Sequence, residues 1–408
     1  MSFVDRRIEN RPETGEAPFH LDEVFFSRTD DRGIILSGNY VFQRVAHYHW
    51  DELLGHPHKI IRHPDMPRGV FWKIWDELKK GHTIGGYVKN LSKDGLQYWV
   101  YAVMVPFGDG YLSARIKPSS DMLQKVKTLY AELLHEENTN NLSPEDSAKL
   151  MREKIITLGF DSYEHFASFS LSEELMSRDA KLGRPLDRDV GDFRHMIDLA
   201  QELAQQTGLL ISEFEAMRTI PHNLRVIASR LEPTGGPVST LSQNYGTMSR
   251  EMSQWFATHV LGEKSNFSTI KGSVQRAMDL AGMARILAES EVQIRDERRN
   301  LGGVNLGDER DLLQRLVMSY RQKCKSCFNE VVHETDRITK ACEVMNRHII
   351  GLSTTRVMCK IESARLPDAG DALNDIITQL MTFQERIKAQ LERIGRLSDE
   401  IQQTRSKN

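Results

Sequence analysis

An apolar residue recurs at every seventh position through much of the chain after residue 200. Such a repeat lays one side of a helix against a partner helix, which is the pattern of a coiled coil. The segments "EPTGGP" and "PDAGD" each interrupt the repeat, and a return helix follows each of them. The sequence therefore predicts an all-α region of long antiparallel coiled-coil hairpins. The repeated positions before the two turns are Leu203, Leu210, Met217, Leu224 and Leu231, then Val317, Cys324, Val331, Ile338, Met345, Leu352, Cys359 and Leu366.

The two hairpins align with each other without a gap at a separation of 135 residues. Leu231 falls on Leu366, and Gly235 falls on Gly370. Any two heptad hairpins share their apolar seam, but the Arg-Leu before the turn and the Gly within it are more specific. We interpret the match as an internal repeat. It predicts that the tips, at 233–237 and 367–371, lie at the same end of one bundle that a single chain can build.

Residues 21–118 carry strand and turn signals in place of the heptad repeat. Short β-rich runs flank the turn "DDRG", and three further runs are separated by "KDG" and "GDG". Helical patterns lie between the second and third runs. The sequence predicts an α+β domain here, with a five-stranded antiparallel sheet and short helices. A flexible N-terminus over 1–20 precedes it, and a helical connector over 119–190 and the helical bundle over 191–408 follow it.

Composition restricts the class of protein. The formal net charge of −3 gives no support to nucleic acid as a principal partner. The sequence contains no apolar run near the ~20 residues needed to span a bilayer, and its start lacks the apolar core of a signal peptide. Four cysteines in 408 residues suit a reducing compartment. We therefore expect a cytoplasmic protein without a transmembrane segment.

The stretch "RHPDMP" is a rigid turn of mixed charge directly before a helix. Its prolines forbid helix through this stretch, so Arg62, His63 and Asp65 are held on a stiff segment. A helix start favoured by Pro and by an acidic residue explains part of the pattern, but leaves Arg62 and His63 unexplained. A planar guanidinium and an imidazole suit an anionic or heterocyclic ligand, and structural ion pairing is the alternative. The aromatic residues of the following helix are Phe71, Trp72 and Trp75.

The run from "ELLGHPHKIIRHPDMP" through "GYVKNLS" and "QYWVYAVMVPF" resembles the PAS domain of bacterial aerotaxis receptors. In that family the PAS cleft holds FAD, which reports the redox state of the cell. By position, the resemblance implies that Arg62, His63, Asp65 and Asn90 contribute to flavin binding. The family has a tryptophan where this chain has Ile84, so we expect weaker FAD binding than in the family.

The helical region is similar to the cytoplasmic signalling hairpin of chemoreceptors, the methyl-accepting proteins. "KIESARLPDAG" resembles that family's tip motif, and "VIASRLEPTGG" is a weaker copy of it. The asparagine- and alanine-rich pattern around the family's tip is absent from both. The resemblance implies a chemotaxis kinase and its coupling adaptor as partners, and a homodimer as one oligomeric state.

Two other groups of residues have a simpler interpretation. Cys324 and Cys327 form C-x-x-C, but Cys324 lies on the apolar seam and no second ligand pair completes a zinc site. We expect both thiols to pack in the helical core. Clustered histidines suggest haem or another metal, yet their spacing does not place both members of a pair on one helix face, and surface or core positions are the alternative. These histidines are His47, His49, His56, His58 and His63.

The sequence contains no catalytic motif, so we do not expect an enzyme. We predict a cytosolic sensory signal transducer, in which a PAS domain senses redox state or oxygen through FAD and controls a chemoreceptor-like helical output. One alternative is a PAS interaction scaffold without a ligand. A second is a haem-based gas sensor that uses one of the clustered histidines.

Overall fold

The computed structural model describes residues 11–217, 220–231, 236–259, 265–296, 306–364 and 370–406. The chain divides into two compact units. The first consists of Met1–Arg194 and Gln275–Cys327, and the second consists of His195–Val274 and Phe328–Asn408. Within the described ranges, no helix combines the length and the apolar character needed to cross a membrane.

The first unit is built around a five-stranded sheet with strand order β2-β1-β5-β4-β3, and all its neighbouring strands run antiparallel. This confirms the α+β module predicted from the strand and turn signals. The turn between the first two strands forms as expected, because the Asp30 carboxylate accepts from the backbone N–H groups of Arg32 and Ile34. The strands are β1 (Val24–Asp30), β2 (Ile35–Gly38), β3 (Ile84–Leu91), β4 (Gln97–Phe107) and β5 (Gly110–Ile116).

Short helices connect β2 to β3 and form one wall of a cleft over the sheet. They are α1 (Tyr40–Ala46), α2 (Trp50–Leu53), a 3₁₀ turn (His58–Ile61) and α3 (Arg68–Lys79). His47 ends α1 in the left-handed conformation, with φ of 59°, and thereby separates α1 from α2. Helix α3 starts after Pro67, as the prolines predict, since they cannot continue a helix through the preceding turn.

The opposite face of the sheet is covered by helices that follow it in the chain. Tyr87 of β3 donates to the Glu174 carboxylate at 2.7 Å, and Tyr101 of β4 donates to the Ala167 carbonyl at 2.6 Å. Gln293 pairs with both the N–H and the C=O of Val24 in β1. The helices concerned are α4 (Met122–Thr139), α6 (Tyr163–Leu182), α10 (Asn266–Asp296) and the start of α11 (Leu306–Ser363), whereas α5 (Pro144–Thr157) packs against α3.

The domain boundaries read from the sequence stay a prediction. The boundary between the two compact units, after Arg194, falls close to the proposed start of the bundle at residue 191. The sheet-containing unit also includes residues 275–327, however. Hydrogen bonds join this segment to the sheet-containing unit. Gln293 donates to the Val24 carbonyl, and the buried side chain of Arg178 donates to both the Leu21 carbonyl and the Glu289 carboxylate.

The second unit is entirely helical in its described residues, which agrees with the all-α prediction. It consists of α7 (Arg188–Met217) from His195 onward, α8 (Ile220–Leu231), α9 (Pro237–His259), α12 (Gly370–Ser406) and the parts of α10 and α11 outside the first unit. Supercoiling of these helices stays a prediction. The described seam residues are buried, among them Leu203, Leu210, Leu224, Leu241, Tyr245, Val331, Ile338, Leu380, Ile387 and Ile394.

The tips at 233–237 and 367–371 fall largely outside the described residues, so their position stays a prediction. The flanking helices nevertheless contact each other in a consistent register. Arg393 donates to Glu202 at 2.9 Å, and the rings of Phe214 and Phe383 lie 6.3 Å apart. From the first pair to the second, the residue number rises in α7 and falls in α12, so these two helices run antiparallel.

Candidate functional site

A cleft lies between the inner face of the sheet and α3, with about 820 Å³ of space between its walls, including the part open to solvent. Helix α3 lines it with residues one helical turn apart, because positions i, i+3, i+4 and i+7 share a face. Trp72 lies off this face and is exposed, unlike the other two aromatic residues singled out in the sequence. The residues from α3 are Phe71, Ile74, Trp75 and Leu78.

The sheet side of the cleft is polar at one place, where Arg115 of β5 meets His58 and Ser27. Arg115 donates from Nη2 to Nε2 of His58 at 2.7 Å and to Oγ of Ser27 at 2.9 Å. Burial, and then the charge of Arg115, lower the pKa of His58 to about 3. His58 is therefore neutral at ordinary pH, with Nε2 as the acceptor and the proton on Nδ1.

Arg115 is a buried cation, with 4% of its surface exposed. Burial lowers its pKa to about 10, so it remains charged at neutral pH. Within the part of the chain that the structure describes, no carboxylate forms an ion pair with it. Burying a charge without a counter-charge is costly, so this position favours an anionic or strongly polar ligand group.

Three buried polar atoms that belong to cleft residues have no hydrogen-bond partner among the residues that the structure describes. They are Nδ2 of Asn90, Oγ of Ser113 and Nη1 of Arg115. Buried polar groups in folded proteins are nearly always paired, so such atoms in one cleft call for an explanation. Two of them are donors and the third is a hydroxyl. Together they fit a ligand with hydrogen-bond acceptors along one edge.

Arg62 stands at the mouth of the cleft. Its guanidinium carbon lies 3.8 Å from the ring centroid of Phe71, and its backbone forms a β-bridge with Asn90. It also borders a second depression, which we call the basic groove, with about 810 Å³ of space including the open part. The cleft and the groove share Lys59 and Arg62. The groove is lined by Lys59, Arg62, His63, Pro64, Met66, Arg68, Leu134, Glu137 and Asn138.

The other two residues of the rigid turn point away from the cleft. His63 borders the groove, and its Nδ1 accepts from the Asp65 backbone N–H at 3.0 Å. The Asp65 carboxylate is 60% exposed and pairs with Lys89 at 2.8 Å, which lowers the pKa of Asp65. Of the three residues on this turn to which the resemblance gives a role in flavin binding, only Arg62 lines the cleft. The reason for Asp65 is the cation on the neighbouring strand, which draws its side chain outward.

Asn90 lines the cleft from β3. Ile84 starts the same strand, lies on the same face by the two-residue period, and is buried. The structure therefore brings Arg62 and Asn90 to the cleft and His63 to the groove. The flavin-binding roles that the family resemblance implies for Arg62, His63, Asp65 and Asn90 stay predictions.

The histidine and cysteine clusters do not form a metal site among the described residues, where no group of three or more ligating side chains occurs. His47, His49 and His56 are exposed, and Nε2 of His58 is occupied by Arg115. This geometry does not favour haem ligation in the cleft. Cys324 and Cys342 are buried, Cys327 is half-buried, and the Cys359 side chain is outside the described residues.

Sequence reasoning missed Arg115, Ser27, Ser113 and Glu137. Arg115 had a signal, since it is a charged residue between Ala114 and Ile116 on a strand that alternates inward and outward. Serines carry no such signal. Glu137 lies far along the chain from the groove it borders, so only the packing of α4 identifies it.

Comparisons with known proteins find similarity in the N-terminal part of the chain. Residues 35–112 match the family described as the PAS fold. The chain is 39% identical over 121 residues to the aerotaxis receptor of Escherichia coli K12, covering 28% of this chain and 24% of the receptor. It is 28% identical over 96 residues to the biofilm dispersion protein BdlA of Pseudomonas aeruginosa, covering 23% of each protein.

A crystal structure of a PAS domain from Colwellia psychrerythraea is 23% identical, with 23% of this chain and 85% of that one covered and a TM-score of 0.20. The chain spans about a quarter of the length of the two curated relatives. The match to the PAS fold includes β2 to β4, the first three residues of β5, the rigid turn and most of the cleft, but not Ser27, Ser113 or Arg115. This chain therefore carries a PAS domain in its N-terminal part and is homologous to the aerotaxis receptor over the matching segment.

Proposed function

We propose that this chain is a sensory signal transducer whose PAS cleft binds FAD and responds to redox state or oxygen. The observation that carries the proposal is the junction of two sites at Lys59 and Arg62. One is a cleft with an apolar wall and unpaired polar atoms, and the other is a basic groove. A planar heterocycle joined to phosphates needs both.

The cleft suits a flavin ring in its two contrasting walls. Phe71, Ile74 and Trp75 of α3 offer an apolar surface to a ring face. The donors of Asn90 and Arg115 stand on the sheet side, where the carbonyl-bearing edge of the ring would lie. Arg115 and Asn90 would hold that edge, and Ser27 with His58 would keep the guanidinium in position.

The groove extends the argument from flavin to a dinucleotide. Lys59, Arg62, His63 and Arg68 bring basic groups to one surface, and phosphate oxygens are the acceptors that Arg and Lys recognise best. Riboflavin would use the cleft alone. FAD would use the cleft and the groove, and it would supply the electron-accepting ring that makes the site sensitive to redox state.

The output side of the proposal rests on the helices. Strands β3 and β4 are bonded through Tyr87 and Tyr101 to α6, so a rearrangement of the sheet would reach the helical part. A chemotaxis kinase and its adaptor are the partners we propose, with a homodimer as one assembly. The cytoplasmic location and the absence of enzymatic activity stay predictions, and the domain limits near 118 and 190 are part of the proposal.

The proposal is tested by adding FAD to the purified protein, removing free ligand and recording the visible spectrum. A retained flavin band is the expected result for the wild type. Arg62→Ala should release FAD, whereas Arg32→Ala, an exposed arginine on the β1–β2 turn, should retain it. A colourless wild type that does not bind FAD would favour the scaffold alternative, and a haem spectrum would favour the gas sensor.

A further inference from the structure

The carboxylate of Glu137 joins the helical connector to the wall of the cleft. It is almost fully buried near the end of α4, with 3% of its surface exposed. Its Oε1 accepts from the Gly69 backbone N–H at 3.1 Å and from Ser147 Oγ at 2.5 Å. Pro67 caps α3 without a side-chain hydrogen bond, so Glu137 satisfies a backbone N–H at the start of α3 from outside the helix.

The same carboxylate is also the one acid among the described residues that line the basic groove. Its Oε2 lies 3.4 Å from Nε of Arg68. Burial lowers the pKa of Arg62, and the charge of Glu137 opposes that shift. Glu137 is therefore the counter-charge of the cations that would otherwise face a phosphate.

The site of contact leaves little room for independent movement of α3. At Gly69 the helix passes so close to α5 that an added Cβ would lie 2.5 Å from Ser147 Oγ and 2.6 Å from the Ala148 nitrogen. The start of α3 therefore cannot shift without changing its contacts with Glu137 and with Ser147 of α5.

We propose that Glu137 couples occupation of the basic groove by a diphosphate-bearing ligand to the α4–α5 hairpin. The ligand and Glu137 compete for Arg62 and Arg68 and repel each other, so binding weakens the bonds from Glu137 to Gly69 and Ser147. The inference rests on the proposed function where FAD is the ligand, and it names the residue that regulates the site. Coupling of this kind is reciprocal. Removing the charge of Glu137 must therefore tighten the binding of anions.

The test is calorimetric titration of the full chain with inorganic pyrophosphate, FAD and riboflavin. Glu137→Gln keeps an acceptor for Gly69 and Ser147 but removes the charge. It should bind pyrophosphate and FAD about 3- to 10-fold more tightly than the wild type. Riboflavin, which has no phosphate, should bind equally to both. The matched control is Glu132→Gln on the same helix, an exposed residue that pairs with Lys154 away from the groove and should change nothing.

Equal pyrophosphate affinities in the wild type and in Glu137→Gln would overturn the inference. Tighter pyrophosphate binding by the variant, with no FAD binding by either protein, would overturn the FAD proposal and support the coupling. No pyrophosphate binding by either protein would overturn the coupling. Amide exchange in the wild type gives a second readout that needs no variant. Pyrophosphate should accelerate exchange at the Gly69 N–H, and unchanged protection there would contradict the coupling.

Discussion

Arg115 and His58 meet inside the PAS cleft with 2.7 Å between Nη2 and Nε2, so a guanidinium donates to an imidazole that has to stay neutral. Protonated His58 would lose its acceptor and face a positive charge. The pair therefore links the polarity of the cleft to pH and to the stability of the fold.

We expect the free energy of unfolding to decrease as the pH decreases, because of His58. Its pKa in the folded protein, about 3, lies below the ordinary value of 6.5, so the unfolded chain takes up the proton first as pH falls. The contribution is complete above pH 6.5 and is lost progressively between pH 6.5 and 3. At pH 5 the loss should reach about 2 kcal/mol in the free energy of unfolding.

Urea unfolding followed by tryptophan fluorescence at pH 7.5 and pH 5 measures this loss. His58→Gln keeps an acceptor for Arg115 without a titrating group, so its stability should change less between the two pH values. An equal change in the wild type and the variant would contradict the assignment.

The contact between α3 and α5 predicts the effect of a single methyl group. Gly69→Ala should lower the free energy of unfolding by roughly 1 to 3 kcal/mol, since overpacking forces backbone to move. Gly208→Ala is the control, because Gly208 lies exposed in α7 with no atom within 4 Å of an added Cβ. It should stabilise the protein by up to about 1 kcal/mol. Similar thermal midpoints for both variants would show that the helices are not in close contact.

The cysteines should differ in reactivity according to burial. Burial raises the pKa of Cys342 to about 12, and Cys324 is buried beside the Ala277 carbonyl, whereas Cys327 is half-buried. Alkylation of the native protein at pH 8, mapped by peptide mass spectrometry, should therefore modify Cys327 before the other two. In the unfolded protein all three should react alike. Rapid modification of Cys342 in the native protein would contradict the structure.

The same thiols are expected to be structural. Cys324→Ala should lower the free energy of unfolding by roughly 1 kcal/mol through lost packing, and Cys327→Ala should cost less. Stoichiometric zinc in the purified wild type, lost in the double variant, would show that the core interpretation of C-x-x-C is wrong.

Periodicity and turn residues predicted most of the fold. The five strands, the helix after Pro67 and the buried heptad seams all follow from local signals that agree with the tertiary structure. The association of 275–327 with the sheet-containing unit could not be foreseen, because an apolar helix face does not say which surface it covers. Gln293 and Val24 show that this surface is the sheet.

The candidate site was predictable only in part. A rigid turn fixes the backbone of Arg62, His63 and Asp65, but side-chain direction depends on neighbours that are distant in sequence. Lys89 draws Asp65 outward, and Phe71 holds Arg62 at the cleft. Arg115 was visible as a charge in an apolar strand, yet its pairing with His58 depends on β5 lying next to β1 and near the 3₁₀ turn.

The most direct test of the account is the dissociation constant of FAD for Arg115→Met, measured against the wild type by titration of flavin fluorescence. If Arg115 holds the polar edge of a flavin, the variant should bind FAD about 10- to 100-fold more weakly, the loss expected for a hydrogen bond to a charged group. Its thermal midpoint without ligand should not fall, because the variant no longer buries an unpaired cation. Unchanged FAD affinity in a folded Arg115→Met protein would contradict the account.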